Sequence, residues 1–173
     1  MIAFASTVRG QLSPPELQAK LTPEQPVMAF GQAVAVSGDT LVVGAESLGI
    51  ACVYTRSGTD WSLQATLVPP DPTGIDYFGH SVSADGDSAL IGAPGNAGKG
   101  AAYAFVRSGT SWNLESKLTP TDPEANQNFG CAVAVSGDTA VVGALADSHA
   151  GTNTGSAYAF ARLGTTWVQE AKL

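Results

Sequence analysis

The stretch "FGQAVAVSGDTLVVGAE", residues 30–46, sets a phenylalanine-glycine pair ahead of a glycine-alanine pair, with small apolar residues between them. The pattern returns as "FGHSVSADGDSALIGAP" from Phe78 and as "FGCAVAVSGDTAVVGAL" from Phe129. A pattern that recurs about every 50 residues indicates an array of one supersecondary unit, in the size range of propeller blades. The chain is therefore expected to repeat one small β-structure three times.

Each unit contains four short segments typical of strands. In the first unit, strand A is predicted at 33–36, strand B at 40–45, strand C at 51–56 and strand D at 61–67. The small and β-branched residues of strands A and B predict burial on both sheet faces. The alternation in strand D predicts one shared side for its larger apolar residues, namely Trp61, Leu63, Ala65 and Leu67. Radially repeated four-stranded units are the blades of an all-β propeller.

The repeat divides the chain into three full blades and a partial one. The boundaries fall at 22–67 for the first blade, 68–118 for the second and 119–173 for the third. Residues 1–21 are expected to supply strands of a preceding partial blade. Within them, Glu16–Leu21 matches a D strand, because "PELQAKLTP" resembles "NLESKLTP", and Ile2–Val8 is its expected C partner. Three blades are fewer than a closed propeller needs, which favours a longer array or self-association into an oligomer.

The three Phe-Gly and Gly-Ala pairs, with Gly-Ala-Pro complete at Pro94 and a Ser-Gly-Thr hairpin before Trp112, resemble FG-GAP repeats. This family builds the propeller of integrin α-subunits and occurs in many bacterial extracellular proteins. The resemblance implies a propeller, an extracellular or cell-surface location, and a binding or adhesion role. Many family repeats also carry an Asp-rich calcium loop between strands A and B. Here that place holds only "SGDT", "DGDS" and "SGDT". Calcium requires six to eight oxygen ligands, which these tight turns cannot supply, so the family's calcium site is not expected here. No cofactor is indicated, and calcium stays open only for the later loop 147–153.

Charge excludes several classes of partner. The formal net charge is −7, so nucleic acid and anionic membranes are disfavoured. No apolar run approaches the roughly 20 residues that span a bilayer. The opening "MIAFASTVRG" has no basic residue ahead of its apolar part, so it does not predict a signal peptide.

Variable loops on a rigid scaffold are the usual place for binding. The B–C and D–A connections vary in length and share one face of the predicted propeller. That face should hold many carboxylates against only Lys99. The face is either a solvated acidic rim or the surface for a ligand, which would be a protein or a glycan. The candidate residues are Glu46, Asp71, Asp76, Tyr77, Asp122, Glu124 and Asp147, with Glu24 on the same face.

The opposite face carries short turns that predict structural ion pairs. An aspartate opens strand B and an arginine closes strand C at the same end of each blade. The expected pairs are Asp39 with Arg56, Asp87 with Arg107, and Asp138 with Arg162. Cys52 and Cys131 hold different repeat positions in non-adjacent blades, so two buried thiols are expected rather than a disulfide.

These observations favour a non-catalytic binding or adhesion module. Two alternatives remain open at this point. One is a propeller domain of a polysaccharide-acting enzyme, although no catalytic set of residues stands out. The other is a structural segment that assembles with copies of itself.

Overall fold

The computed structural model describes residues 19–21 and 29–173, and these form an all-β structure. Three antiparallel sheets of four strands each follow one another, and in every sheet the strands lie side by side in sequence order. Within the described residues the only helical element is a 3₁₀ turn at Asn96–Gly98. The strands are β1 Phe30–Ser37, β2 Thr40–Ala45, β3 Ile50–Ser57, β4 Asp60–Leu67, β5 Ser81–Asp85, β6 Ser88–Ala93, β7 Ala101–Ser108, β8 Ser111–Leu118, β9 Phe129–Ser136, β10 Thr139–Ala144, β11 Ser156–Leu163 and β12 Thr166–Lys172.

Strands β1–β4 form blade 1, β5–β8 blade 2 and β9–β12 blade 3, each in the predicted order A, B, C, D. The fold class predicted from the repeat is thus confirmed. Tight turns with glycine at positive φ join strands A and B, at Gly38, Gly86 and Gly137. The blade boundaries drawn in the loops stay predictions. The expected strand Ile2–Val8 and most of Glu16–Leu21 lie outside the described residues.

The apolar core lies between the blades. One cluster joins Val42, Val53 and Leu67 of blade 1 to Tyr103 and Phe105 of blade 2. A second cluster joins blade 2 to blade 3 in the same manner, with Leu90 and Leu118 packed on Tyr158 and Phe160. Each blade therefore buries its apolar surface against its neighbour and not within itself, as repeat architectures do.

The phenylalanine of each Phe-Gly pair fills the face of its own blade. Phe78 is fully buried, edge-on to Tyr103 at 5.4 Å between ring centroids. Phe129 repeats this contact with Tyr158 at 5.3 Å. Edge-to-face packing at this distance is favourable for aromatic pairs. The phenylalanine thereby fixes the start of strand A over strand C.

The glycines of the two pairs meet across the junction between blades. A Cβ on Gly44 would lie 2.0 Å from the carbonyl oxygen of Gly79, and a Cβ on Gly92 would lie 2.0 Å from that of Gly130. Gly79 and Gly130 also have positive φ and sit against backbone of the preceding blade. The Phe-Gly pair of one blade thus docks on the Gly-Ala pair of the blade before it, and no side chain fits in between. The recurring pattern is the signature of this junction.

Strand A is less buried than the sequence predicts. Strands B are largely buried, but Val34 and Val36 of β1 are 63% and 67% exposed. The corresponding apolar residues of β5 and β9 pack on the clusters between the blades. The prediction of burial on both faces of strand A was therefore wrong, because strand A is an edge strand and is covered only where a preceding blade supplies a surface.

Strand D departs from simple alternation. In each blade one residue of strand D has no partner on strand C, at Gln64, Glu115 and Glu170. Such a β-bulge turns the following side chains toward the other face. A third cluster, called the outer cluster, lies on the side of blade 1 away from blade 2 and is formed by Val43, Cys52 and Tyr54. Trp61 packs on this outer cluster, whereas Leu67 packs toward blade 2. The prediction that these two share one side was wrong.

The junction glycines should respond very differently to the same substitution. Gly92→Ala forces its Cβ against the backbone of Gly130 and should destabilise the chain by about 1–3 kcal/mol or prevent folding. Gly143→Ala is the matched control, because the described atom nearest to its Cβ lies 3.5 Å away. It should be neutral or stabilising by about 0.5 kcal/mol. Urea unfolding of dilute protein measures both. Equal destabilisation would contradict the docking role.

Candidate functional site

The turn face carries two arginine–aspartate pairs at the predicted positions. Arg56 Nη2 lies 2.7 Å from Asp39 Oδ1, and Arg107 Nη2 lies 2.6 Å from Asp87 Oδ1. Each arginine also lies over the tryptophan of its own strand D. The aspartate side chains are mostly exposed. Exposed pairs of this kind contribute about 0–1 kcal/mol, so they belong to the scaffold.

Blade 3 does not form the expected Asp138–Arg162 pair. The guanidinium of Arg162 instead contacts Glu115 of blade 2, with 3.1 Å from Nε to Oε1. The other carboxylate oxygen of Glu115 accepts the indole N–H of Trp167 at 2.9 Å. In blade 1 the same bulge position holds neutral Gln64, which accepts the indole N–H of Trp112 and leaves Arg107 to Asp87. The charge at the bulge of the preceding blade therefore selects the partner of the arginine.

Removal of the Glu115 carboxylate should cost more than removal of the Asp39 carboxylate. Glu115 is almost buried and pairs with a half-buried arginine, so Glu115→Ala should lower the free energy of unfolding by about 3 kcal/mol. Asp39→Ala should lower it by at most about 1 kcal/mol. Glu115→Gln should fall between them, because the amide still accepts from Trp167. Chemical denaturation of the three variants checks this order, and equal losses for Glu115→Ala and Asp39→Ala would contradict it.

On the loop-rich face, the predicted carboxylates of the D–A loops are bound to lysines of strand D. Asp71 accepts from Lys117 Nζ at 2.6 Å and from the Tyr103 hydroxyl at 2.9 Å. Lys117 also donates to buried Asn96 at 2.9 Å. The hydrogen bond from Lys117 is the main reason that the pKa of Asp71 lies below its usual value.

Blade 3 repeats this arrangement with an additional charge. Lys172 Nζ lies 2.7 Å from Asp122 Oδ2 and 3.0 Å from Asp147 Oδ2. Asp147 is fully buried and also accepts from the Tyr158 hydroxyl at 2.7 Å. Burial alone would raise the pKa of Asp147, but the hydrogen bonds from Tyr158 and Lys172 outweigh it and hold that pKa far below its usual value. The prediction that only Lys99 opposes this acidic face was wrong.

The strand-D lysines could have been recognised in the sequence as part of a set. Tyr103 stands opposite Lys117 across strands C and D, and Tyr158 stands opposite Lys172. In blade 1 both positions change together, to Cys52 opposite Thr66. We call the tyrosine, lysine and D–A-loop aspartate the Tyr–Lys–Asp clamp. Its joint presence in two blades and joint absence in the first indicate that its members act together.

His149 joins the clamp of blade 3. Its Nδ1 lies 3.1 Å from Glu124 Oε1 and its Nε2 lies 3.3 Å from Asp122 Oδ2. Glu124, Asp147 and His149 bring one ligand atom each within 4.8 Å of one another, the spacing of a metal site. However, the Lys172 ammonium already lies against Asp147 and Asp122, where a metal ion would meet its repulsion. The arrangement therefore fits an internal ion-pair network better than a metal centre.

Acid should weaken the fold through Asp147. Its pKa is lower in the folded chain than in the unfolded chain, so its stabilisation is complete above the unfolded value of about 4 and is lost as the pH falls below it. Asp147→Asn should therefore show a smaller drop in unfolding free energy than the wild type between about pH 5 and about pH 3. The exposed Asp60→Asn is the control and should keep the wild-type drop. A wild-type drop in Asp147→Asn would contradict this assignment.

Tyr77 lines two neighbouring clefts of the loop-rich face. The larger, about 460 Å³, lies between the B–C loop of blade 1 and the following D–A loop, and its wall includes Leu48, Val68 and Ile75. The smaller, about 290 Å³, is lined by Pro94, Cys131 and Leu145, among others. Several of these apolar side chains are exposed, namely Leu48, Val68, Ile75, Tyr77 and Leu145. We call this surface the Tyr77 patch.

The carboxylates beside the patch are engaged within the chain. Glu46 lines both clefts and lies 2.6 Å from His80 Nδ1. Asp76 is nearly buried and accepts from the backbone N–H of Thr73 at 2.7 Å and from its hydroxyl. Of the residues predicted for ligand binding, Glu46, Asp76 and Tyr77 therefore converge on the clefts. Asp71 and Asp122 belong to the clamps, and Glu124 and Asp147 belong to the ion-pair network beside the clamp of blade 3. A ligand role for any of these residues stays a prediction.

Tyr77 is held in an uncommon backbone conformation. The residue before each Phe-Gly pair has positive φ, with values of 63° at Ala29, 55° at Tyr77 and 56° at Asn128. A turn closes there in each blade, for example from His80 N to Tyr77 O at 3.0 Å. Asparagine suits this conformation, whereas for a bulky residue it is an outlier that costs about 1–3 kcal/mol. The conformation of Tyr77 is therefore imposed by a turn that all three blades share, and Tyr77 is the bulkiest residue to adopt it.

The two cysteines are both thiols, but the prediction that both are buried was wrong for Cys131. Cys52 is buried in the outer cluster of blade 1, in contact with the strand-B residue Val43. Cys131 is partly exposed and lines the smaller cleft.

Comparison with known proteins identifies the family of the repeat. The family model described as FG-GAP repeat matches three segments of the chain, residues 16–51, 61–105 and 112–160. The chain belongs to the FG-GAP repeat family. Its repeats here lack the family's Asp-rich calcium loop, since each A–B connection is a tight glycine turn. A search of curated proteins found no significant match.

Among solved structures, this FG-GAP chain is similar to Saccharomyces cerevisiae Sqt1, a β-propeller of the WD40 type. The TM-score is 0.57 at 13% sequence identity, which shows likeness of fold alone. The match covers 85% of this chain and 36% of the Sqt1 chain, so these blades span about a third of that propeller. Among the described residues, no helix has the length and apolar character that crossing a membrane would need.

Proposed function

We propose that this FG-GAP array is a non-catalytic binding module of an extracellular adhesion protein, and that its Tyr77 patch binds an extended segment of a partner protein. The observation that carries the proposal is Tyr77 itself, a 46% exposed aromatic side chain held at a φ of 55° between two clefts. A strained residue persists where the surrounding structure enforces it, and such residues gather at ligand sites. The extracellular location rests on the family, whose repeats are typical of extracellular proteins.

The composition of the patch favours a protein ligand over a glycan. Its exposed side chains are mainly aliphatic, at Leu48, Val68, Ile75 and Leu145. A contiguous group of exposed apolar residues beside a cleft is typical of protein-interaction surfaces. Glu46 and His80 at the edge supply polar contacts that can fix the orientation of a bound segment. Apolar side chains of an extended partner segment fit this surface.

An enzymatic role finds less support. A glycoside hydrolase would need two carboxyl groups that flank one open cleft with different tasks. The two carboxylates that line the larger cleft are Glu46, paired with His80, and Asp76, bonded to Thr73 and nearly buried. Neither is poised as an acid or a nucleophile. FG-GAP propellers are also generally non-catalytic.

Tyr77→Asn separates the binding role from the structural one. Asparagine keeps the turn and relieves strain, so the free energy of unfolding should stay equal or rise by up to about 1 kcal/mol. Binding should fall at least about tenfold, because an aromatic anchor at the centre of an interface is worth more than about 1.4 kcal/mol. The measurement is affinity for peptides that the wild type selects from a displayed library of linear sequences.

The control is Leu163→Ser, which removes a 66% exposed apolar side chain at the C–D turn on the opposite face. It should bind the selected peptides like the wild type. Selection of no peptide by the wild type, or equal affinity in Tyr77→Asn, would refute the proposed function.

A further inference from the structure

The two ends of the array present complementary halves of the junction that already occurs twice inside it. On the side of blade 3 away from blade 2, Val141, Ala157 and Ala159 are only partly buried, and Leu173 is 76% exposed. Their counterparts in blade 2 are Leu90, Ala102, Ala104 and Leu118, all of which are buried against blade 3. Blade 3 thus presents the face that in blades 1 and 2 receives the next blade.

The junction glycines at the two ends of the array are also uncovered. The Cβ positions of Gly44 and Gly92 collide with the backbone of the following blade, but that of Gly143 meets no described atom closer than 3.5 Å. At the other end, a Cβ on Gly31 would have no described atom within 4 Å, whereas Gly79 and Gly130 are tightly enclosed. Gly143 and Gly31 are therefore the unmatched halves of one docking contact.

Polar groups at the ends match as well. The last residue of strand A accepts a hydrogen bond from the A–B turn of the next blade, from Gly86 N to Ser37 Oγ at 2.9 Å and from Gly137 N to Asp85 Oδ2 at 2.7 Å. Ser136 holds this position in blade 3. The bulge residue of strand D accepts the indole N–H of the next tryptophan, and Glu170 holds that position in blade 3. In blade 1, Gly38 and Trp61 are the corresponding donors.

We propose that the open face of blade 3 binds blade 1 of a second copy of this chain, head to tail, through the same contacts as the internal junctions. Gly31 of one copy would dock on Gly143 of the other, and the amide of Gly38 would donate to Ser136. Trp61 and Arg56 would bind the carboxylate of Glu170. Two copies joined at both ends make a ring of six blades, which lies within the range of closed propellers. This assembly does not depend on the Tyr77 patch.

The chain's own Leu21 covers only part of the blade 1 face. It packs with Val43, Cys52 and Tyr54 on the outer cluster, where Leu67 and Leu118 sit in the two internal junctions. Strand A of blade 1 remains uncovered, with Val34 and Val36 mostly exposed. A complete blade from the partner would cover these two residues, and its Leu173 would take the place of Leu21.

Light scattering and sedimentation over a dilution series test the assembly. The wild-type chain should exceed its monomer mass of 17.5 kDa, at twice that mass for a ring or higher for an open chain of copies. Gly143→Val should fold, because its position has room, but remain a monomer at concentrations where the wild type associates. Thr165→Val, at an exposed turn of the same blade, is the matched control and should associate normally.

A mixing experiment establishes the head-to-tail mode. Val36→Lys places a charge on the blade 1 face and should also give a monomer by itself. Mixed with Gly143→Val, it should form a dimer, because the first variant keeps an intact blade 3 face and the second an intact blade 1 face. A wild type that stays monomeric, association of either single variant like the wild type, or monomers in the mixture would each overturn the proposal. Failure of peptide binding at Tyr77 would leave these masses unchanged.

Discussion

The structure depends on one close approach of backbone to backbone between successive blades. The carbonyl oxygen of Gly79 lies only 2.0 Å from the position that a Cβ of Gly44 would take, and the oxygen of Gly130 lies equally close to that of Gly92. This approach sets how closely two twisted sheets can lie, and the apolar clusters on either side fill the remaining space. Because an apolar interior is close-packed, this spacing also fixes which side chains fit elsewhere in the junction.

Three layers of polar contacts surround this apolar junction. Near the inner edge, turn amides reach the end of the preceding strand A. At the outer edge, indole groups reach the bulged residue of the preceding strand D. On the loop-rich side, the Tyr–Lys–Asp clamps tie the D–A loop to the outer strands of the following blade, through Asp71 and through Asp122. The bonds of the turns are exposed, whereas those of the indoles and the clamps are partly buried and satisfy groups that would otherwise lack a partner there, so they favour one alignment of the blades.

The repeat, the strand order and the turns could be predicted because they are local and recur with fixed spacing. The bulge at Gln64, Glu115 and Glu170 could not, because the residue types still alternate in a pattern consistent with a regular strand. Once the bulge is missed, the arginine partner is missed too, since Glu115 reaches the next blade only from the bulge. The clamp lysines were within reach of sequence reasoning through their recurrence. The clefts at Tyr77 depend on how two loops of different origin lie together, which local patterns do not specify.

The bulge position also gives the array a fixed order of units. Blade 3 carries an arginine that pairs with Glu115, whereas Arg107 of blade 2 faces neutral Gln64 and turns to Asp87. If blade 1 stood directly before blade 3, Arg162 would meet the amide of Gln64 and not a carboxylate. If a bulge carboxylate stood before blade 2, it would compete with Asp87 for Arg107. Units that look interchangeable by their backbone are thus labelled by charge. A chain with the same blades in another order would therefore fold each unit equally well but bring the wrong charges together at the junctions.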